Sequence, residues 1–336
     1  MVQHKKILII RFSSIGDIVL ASPVFRCVKK QIENVEVHFV TKFSFKIVTA
    51  ANPYIDKFFY YNNNMPELLA KLHAENYDYV IDLHNNFRSN KIKQFLNRQT
   101  HTIAKLTLQK FLLTQLNIDI MPNRHITMRS LDAVAKINVK DDGAGLDYFI
   151  AQKDNISSED LPTGHLAGYM VIAIGASYFT KRLPTHKIIE LCSKINHPII
   201  LIGGRQDVQN GAIIANTNSV KIYNACGKFN ISESADIVRK AKLVISNDTG
   251  MLYIACAFKI PVIAMWGSTT PDLDVEPYYG SNFINTVNKP MYKNIVQNLG
   301  CQPCSKYGLA KCPKEHFNCM KNIDINEVVK TVKSFL

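Results

Sequence analysis

One junction constrains the fold of this chain more than any other. An apolar run, Ala241-Lys242-Leu243-Val244-Ile245, leads into Ser246-Asn247-Asp248-Thr249-Gly250; a helical pattern follows over 251–258, then a second apolar run over 261–266. Two apolar runs of strand length joined by one helix read as a β–α–β unit. Asp-Thr-Gly therefore lies where a strand ends and a helix begins. The first N–H groups of that helix lack intrahelical partners, and its dipole is positive there. Thr249 and Gly250 let a phosphate approach this backbone closely. In an open α/β sheet, ligands bind at this edge.

The same alternation runs along the whole chain. In the first half, strands are expected over 7–10, 35–41, 57–61 and 79–83. Helices are expected over 18–31, with Pro23 near the start, over 45–51 and over 65–75, and helical patterns dominate 90–136. The pattern breaks around 139–168, at Asp141-Asp142-Gly143, Ser157-Ser158-Glu159-Asp160 and Pro162-Thr163-Gly164. This reads as a linker. Beyond it, strands are expected over 169–174, 198–202, 243–245 and 262–266, with helices over 187–195, 208–217 and 232–240. At 336 residues the chain is long for one core. We expect two Rossmann-like α/β domains facing a cleft, 1–160 and 161–336, the second ending in a Cys-rich stretch and an amphipathic helix over 326–335.

Composition narrows the classes. With 47% hydrophobic and 20% charged residues the chain is globular. No run approaches the roughly eighteen apolar residues of a membrane span, and Arg11 ends the apolar stretch after Lys5-Lys6 too early for a secretory signal. A cytoplasmic protein is expected. The net charge of +13 suits nucleic acid, an anionic membrane face or a phosphorylated substrate. Between His84 and Lys140, ten Lys/Arg stand against two acids, interspersed with Phe87, Phe95, Leu96, Leu106, Phe111, Leu112 and Leu113. Such a segment fits a membrane surface or an anionic acceptor, or is a set of ordinary solvated helix faces. No RNP-type aromatic motif accompanies the charge, which speaks against nucleic acid.

Other strand-end loops carry chemistry of the same kind. Arg11-Phe12-Ser13-Ser14-Ile15-Gly16-Asp17 follows the first strand and is not a G-x-G-x-x-G loop, which argues against a nicotinamide cofactor. Asp17 is either a general base, if desolvation raises its pKa, or a first-turn helix cap. In Gly175 to Pro184, Ser177 and Thr180 offer hydroxyls to phosphate, and Lys181 offers charge to a leaving diphosphate. Asp207, after Gly203-Gly204, either accepts ribose hydroxyls or caps a helix. Trp266-Gly267-Ser268-Thr269-Thr270-Pro271 ends the next strand, with the single Trp expected in the core. Four loops of one half thus converge on a phosphate-type ligand, and one carboxylate projects from the other half. That arrangement suits a nucleotide-sugar transferase.

These motifs resemble glycosyltransferase family 9, the lipopolysaccharide heptosyltransferases, nearly end to end. Ser-Ser-Ile-Gly-Asp at 13–17 looks like the family's N-terminal loop, which implies Asp17 as the catalytic base. Thr-Lys-Arg-Leu-Pro at 180–184 looks like its Lys-x-Trp-Pro segment, with Leu183 for Trp, and implies Lys181 on the phosphates. Ser177 matches a phosphate-binding hydroxyl, Asp207 the acidic ribose ligand, and Asp248-Thr249-Gly250 the sugar- and phosphate-binding motif. Tyr253 stands where the motif usually ends in His and, with Leu183, implies a divergent member using a different donor or acceptor, or a nucleotide binder without turnover. The resemblance implies a GT-B fold: an N-terminal acceptor domain and a C-terminal donor domain. It also implies inverting, metal-independent transfer of a sugar, heptose in this family, from an ADP-sugar to an anionic lipid-linked saccharide at the inner membrane surface. No cofactor is required in that reading.

Eight cysteines divide into two groups. Cys27, Cys192, Cys226 and Cys256 sit among apolar neighbours and are expected as reduced core residues. Cys301-x2-Cys304-x7-Cys312-x6-Cys319 contains one zinc-like knuckle, with the second pair spaced too widely for another. Structural zinc, unligated thiols and a redox-labile pair all remain open for this cluster.

Overall fold

Strand pairing is parallel throughout the described residues, 4–336, of this computed structural model. The chain divides into two units. One holds the chain up to Lys105 with Arg124–Phe149 and Gly280–Phe283; the other holds Leu106–Asn123, Ile150–Tyr279 and Ile284–Leu336. The expected break at 160/161 thus lies at 149/150, with two excursions. The larger one has a clear cause: Leu113 and Met121 bury against Leu273, alongside Leu106 and Val275, so residues 106–123 take their core from the second unit.

The first unit is a five-stranded sheet. Its elements are β1 (Lys5–Ile10), α1 (Ile15–Leu20), α2 (Ser22–Gln31), β2 (Val35–Lys42), α3 (Lys46–Thr49), β3 (Lys57–Tyr61), α4 (Met65–His73), β4 (Tyr79–Asp82), α5 (Phe87–Leu96) and β5 (Gln99–Thr102). The short α6 (Thr107–Phe111) belongs to the excursion, and α7 (Ile126–Ala135) returns to this unit. The strand order is β3-β2-β1-β4-β5, so β1 is central and the four residues Ile7 to Ile10 are fully buried. The helix expected over 18–31 is two helices meeting at Ala21, because Pro23 lacks the N–H an unbroken helix would use and instead opens α2. β5 falls inside the stretch expected to be helical. Its sequence, Gln-Thr-His-Thr, has no apolar run, and only its sheet pairing reveals it.

The second unit carries β6 (Met170–Ala173), α8 (Thr185–Lys194), β7 (Ile199–Ile202), α9 (Val208–Ala215), β8 (Ile222–Asn224), α10 (Ile231–Arg239), β9 (Leu243–Asn247), α11 (Gly250–Ala257) and β10 (Val262–Met265). After α12 (Ser281–Ile284) come β11 (Tyr292–Ile295), α13 (Asn318–Lys321) and α14 (Ile325–Phe335). The sheet order is β11-β10-β9-β6-β7-β8. Its core joins apolar residues of β6, β7, β9 and α8 to Ile325, Val328, Val332 and Phe335 of α14, so the terminal helix is structural. Trp266 is fully buried and donates from Nε1 to Asn294 Oδ1 at 2.9 Å. Cys27, Cys192, Cys226 and Cys256 are buried and reduced, as their apolar neighbours imply.

In the first unit α2 is tied to the 141–149 segment by a buried guanidinium. Arg26 donates from Nε to Asp142 Oδ2 at 2.7 Å and from Nη2 to Asp142 Oδ1 and Gly145 O, both at 2.8 Å, and it also pairs with Asp147. The hydrogen bond from Arg26 holds the Asp142 carboxyl down at about 2 against the opposing effect of burial. Arg26→Met leaves both carboxylates without their cation and should cost about 3–5 kcal/mol, read as a lowered denaturation midpoint. Because the folded pKa of Asp142 is depressed, its contribution is complete above the unfolded value of about 3.9 and is lost as pH falls through the folded one. The gap between wild type and variant should narrow from about pH 4 towards 2.

Candidate functional site

In the first unit the site grows from the end of β1. Ser14 caps α1, and Asp17 is the third residue of that helix. Asp17 Oδ2 accepts the Ser14 N–H at 2.9 Å and the Ser14 hydroxyl at 2.8 Å, closing a capping box. Its Oδ1 pairs with Arg11, whose guanidinium also donates to the carbonyls of Leu83 and, at 3.1 Å, Ser13. Arg11 thereby joins the end of β4 to the carboxylate. Burial pushes the Asp17 carboxyl up, but the Arg11 charge, the two Ser14 hydrogen bonds and the adjacent His84 together outweigh it, and the net shift is downward. Of the two readings of Asp17, the first-turn cap is present, and desolvation does not raise the carboxyl, because the ion pair prevails. Asp17 is an ionised, fixed acceptor whose side chain is 31% exposed.

His84, just beyond β4, completes this edge. Its ring lies edge-on to Phe12 at 5.5 Å, and its buried Nδ1 has no hydrogen-bond partner. Burial, then the charges of Arg11 and Lys105, push the imidazole down to about 4 against the opposing pull of Asp17 and Asp82, so it is neutral at physiological pH. The sequence reading assigned no role to Arg11 or His84. Each is a single polar residue after a strand, and their relation appears only because β1 and β4 are sheet neighbours.

In the second unit the organising residue is Asn247. Its Nδ2 lies 3.2–3.4 Å from the carbonyls of Ala173, Ile174 and Gly175, and its Oδ1 accepts the Leu183 N–H at 3.1 Å. One buried amide thus fixes both ends of the 174–183 loop against the end of β9. Lys181, from that loop, pairs with Asp248 Oδ2 at 2.5 Å. Thr269 donates to the same oxygen at 2.7 Å, while the Tyr253 hydroxyl contacts Asp248 Oδ1 at 3.2 Å and donates to Val275 O at 2.8 Å. Three residues singled out in the sequence, Lys181, Asp248 and Tyr253, therefore form one cluster, joined by Thr269. Beside it, Thr249 caps α11 with its backbone alone, in extended conformation and with no side-chain hydrogen bond to the helix. Thr249 and Gly250 are partly exposed, so the first amides of α11 stand beside Lys181's partner and suit an anion.

The other predicted residues are placed differently. Ser177 is exposed at the tip of its loop. Thr180 is buried: its Oγ1 lies 2.8 Å from Ser268 Oγ, accepts the Leu309 N–H at 2.8 Å and lies 3.1 Å from Leu309 O. Its hydroxyl is spent on docking the 305–309 loop, so it faces protein and not an open phosphate site. Asp207 is 2% exposed; it accepts the Gly204 N–H at 2.9 Å and faces Arg182 at 3.5 Å. A Cβ on Gly175 would lie 2.4 Å from its Oδ2, so Asp207 packs closely against the 174–183 loop and would have to shift to admit a larger residue there.

The clustered cysteines do come near one another, since Cys301, Cys304 and Cys312 each act on the Cys319 thiol, which burial pushes up to about 12. Cys301 Sγ lies 3.9 Å from His316 Nε2. Among the described residues, the sets of three potential metal ligands within 4.8 Å of one another are Cys27–Asp141–Asp142 and Glu36–His38–Glu75, not the cysteine group. Asp142 of the first set already binds Arg26, and Glu36 and Glu75 of the second bind Lys6.

Two parallel α/β units, with an oriented carboxylate at one sheet edge and a Lys–Asp pair beside an open helix N-terminus at another, define a glycosyltransferase of the GT-B class. Comparison with known proteins gives the family. The profile of glycosyltransferase family 9 (heptosyltransferase) matches residues 65–307, and the chain belongs to that family. It is 25% identical over 308 residues to lipopolysaccharide heptosyltransferase 1 of Campylobacter coli, covering 84% of this chain and 88% of that protein. Among solved structures it resembles the family 9 glycosyltransferase of Veillonella parvula, with TM-score 0.75, 18% identity, and 98% and 97% of the two chains covered. It also resembles E. coli heptosyltransferase WaaC with ADP-2-deoxy-2-fluoro heptose, with TM-score 0.69, 20% identity, and 98% and 99% covered.

Two outcomes follow from the geometry. Arg11→Gln removes the charge that opposes burial at Asp17, so the Asp17 carboxyl should titrate at higher pH than in wild type; carboxyl-carbon NMR reads this directly, and an unchanged titration would remove Arg11 from the account. A Cβ at Gly267 would lie 2.2 Å from the Thr180 carbonyl oxygen. Gly267→Ala should therefore cost about 1–3 kcal/mol in denaturant unfolding.

Proposed function

We propose that this glycosyltransferase transfers heptose, with inversion, from ADP-heptose to the saccharide of a lipopolysaccharide-type acceptor. The observation that carries the proposal is the Lys181–Asp248 pair set beside the uncapped amides of α11. It provides a fixed cation and oriented N–H donors where a diphosphate gains charge on leaving. The curated relative from Campylobacter coli is a lipopolysaccharide heptosyltransferase, and the WaaC structure holds a heptose analogue of the donor; both support the choice of sugar and acceptor.

In this reading the first unit takes the acceptor and the second takes the donor. The acceptor oxygen forms a bond to the sugar's anomeric carbon while the bond from that carbon to the diphosphate oxygen breaks. The electron pair of the broken bond leaves with ADP. The acceptor's hydroxyl proton passes to the Asp17 carboxylate, which Ser14 and Arg11 hold ionised and oriented. Such a base takes the proton as the oxygen acquires positive character late in the displacement. Lys181 and the α11 amides meet the charge on the leaving group, and the proposal gives a metal no part. Ser177 reaches the phosphates from its exposed loop. Asp207 and Thr180 serve the donor by shaping the 174–183 loop beneath it. Tyr253, where the family usually has His, brings no charge; its hydroxyl steadies Asp248. The acceptor's lipid places the enzyme at the cytoplasmic face of the inner membrane, in contact with it peripherally.

The test uses ADP-heptose and lipopolysaccharide from a heptose-deficient strain, with the product read by mass spectrometry. Asp17→Asn should lower turnover by about 10²–10⁴-fold, and Lys181→Ala by about 10²–10³-fold. Asp17→Asn should keep the thermal shift given by ADP, which amounts to about 2.7 kcal/mol at a hundred times the dissociation constant. Full turnover in Asp17→Asn would remove it as the base. A thermal shift with a nucleotide other than ADP would change the donor, and a shift without turnover would favour a nucleotide-binding, non-transferring protein.

A further inference from the structure

The segment Leu106–Asn123 exposes more large apolar side chains than its neighbours need. It runs through α6 and one wider helical turn, Leu112–Leu116, then reverses at Asn117, which has a left-handed backbone with φ of 55°. One side is anchored, since Leu113 and Met121 bury against Leu273. The other side presents Leu108, Phe111, Leu116, Ile118 and Ile120, each between 49% and 62% exposed. The tip, Leu116-Asn117-Ile118, carries no charge. Two lysines, Lys105 and Lys110, accompany it in the chain; Arg124 beyond it is paired with Asp132, and Asp119 Oδ1 accepts the Met121 N–H at 2.9 Å.

We infer that this hairpin inserts its apolar tip into the interfacial layer of an anionic lipid bilayer. Two observations select that occupant. The protruding segment is too small for a stable protein interface, which takes about 20–30 residues a side. Its layout, an uncharged apolar tip preceded in the chain by Lys105 and Lys110, matches a lipid–water boundary, where apolar groups enter and cations stay at the headgroups. Among the described residues no helix is long and apolar enough to cross a membrane. The inference rests on the lipid-linked acceptor for the source of the bilayer and deepens the proposed function by naming the contact. It differs from a purely electrostatic contact of the basic 84–140 stretch in one measurable way. Insertion survives salt, whereas charge attraction is screened.

The protein supplies its own background for the experiment, because its single tryptophan, Trp266, is fully buried. With Leu116→Trp in the full chain, phosphatidylglycerol–phosphatidylethanolamine vesicles should shift the new emission to the blue. Brominated lipids in those vesicles should quench it, at low and at high salt, while wild-type emission stays unchanged. The triple variant Leu108→Ser, Leu116→Ser, Ile118→Ser should partition onto vesicles at least about ten-fold less well, given the apolar surface it removes. Its melting temperature and ADP thermal shift should match wild type. Absence of quenching, or binding abolished by salt alone, overturns the inference. So does sedimentation showing self-association that the serine substitutions remove, because the tip would then meet a second copy. These readouts use no turnover, so failure of heptose transfer leaves them standing, and their failure leaves the transfer reaction untouched.

Discussion

Parallel strand pairing is the constraint on which the rest depends. Strands that all run one way finish at one edge of their sheet, and each is followed by a loop and a helix whose first amides lack partners. Chemistry therefore collects at the C-terminal edge without any single long motif. In the second unit this edge is held by one side chain: the buried amide of Asn247 meets three carbonyls at and just beyond the end of β6 and the Leu183 amide. The 174–183 loop, Lys181 and the start of α11 keep their places because that amide satisfies backbone groups that burial would otherwise leave unpaired.

The carboxylates at these edges share a physical logic. Asp17 is bound by Ser14 and Arg11, Asp248 by Lys181, Thr269 and Tyr253, and Asp207 by Gly204 and Arg182. Asp207 and Asp248 are buried and Asp17 is partly exposed, and each meets a donor or a cation. Burial alone would neutralise a carboxyl; burial with a paired cation fixes its charge and its direction. His84 shows the opposite case. It has neighbouring cations and an unpartnered Nδ1, and it stays neutral. The two groups stand at one edge, one ionised and one neutral, and the surroundings of each shift its pKa downward.

Much of this was legible in the residues, for reasons that also mark where legibility stopped. Strands such as β1, β6, β9 and β10 are buried on both faces, so they read as continuous apolar runs. β5, β8 and β11 are short, partly polar edge or near-edge strands, and nothing local distinguishes Gln-Thr-His-Thr from a loop. Pro23 lay near the start of the single helix expected over 18–31, and nothing local showed that the chain would restart as a separate helix one residue after Ala21. The hydroxyl of Thr180 looked like a phosphate ligand because its neighbours do; its partners, Ser268 and Leu309, are 88 and 129 residues away. The allegiance of 106–123 is of the same kind, since it follows from Leu273 and not from any residue nearby in the chain.

The sequence by itself determined the class of fold, the strand-end loops, and the residues at which a phosphate and a base would be sought. Those are consequences of short-range periodicity and of where Gly, Asp and Thr fall relative to an apolar run. Tertiary structure decided which of these residues face ligand and which face protein, the charge states of Asp17 and His84, and the unit to which the exposed hairpin belongs. Burial, charge pairing and sheet neighbourhood act between residues far apart in the chain, and a local pattern carries no record of them.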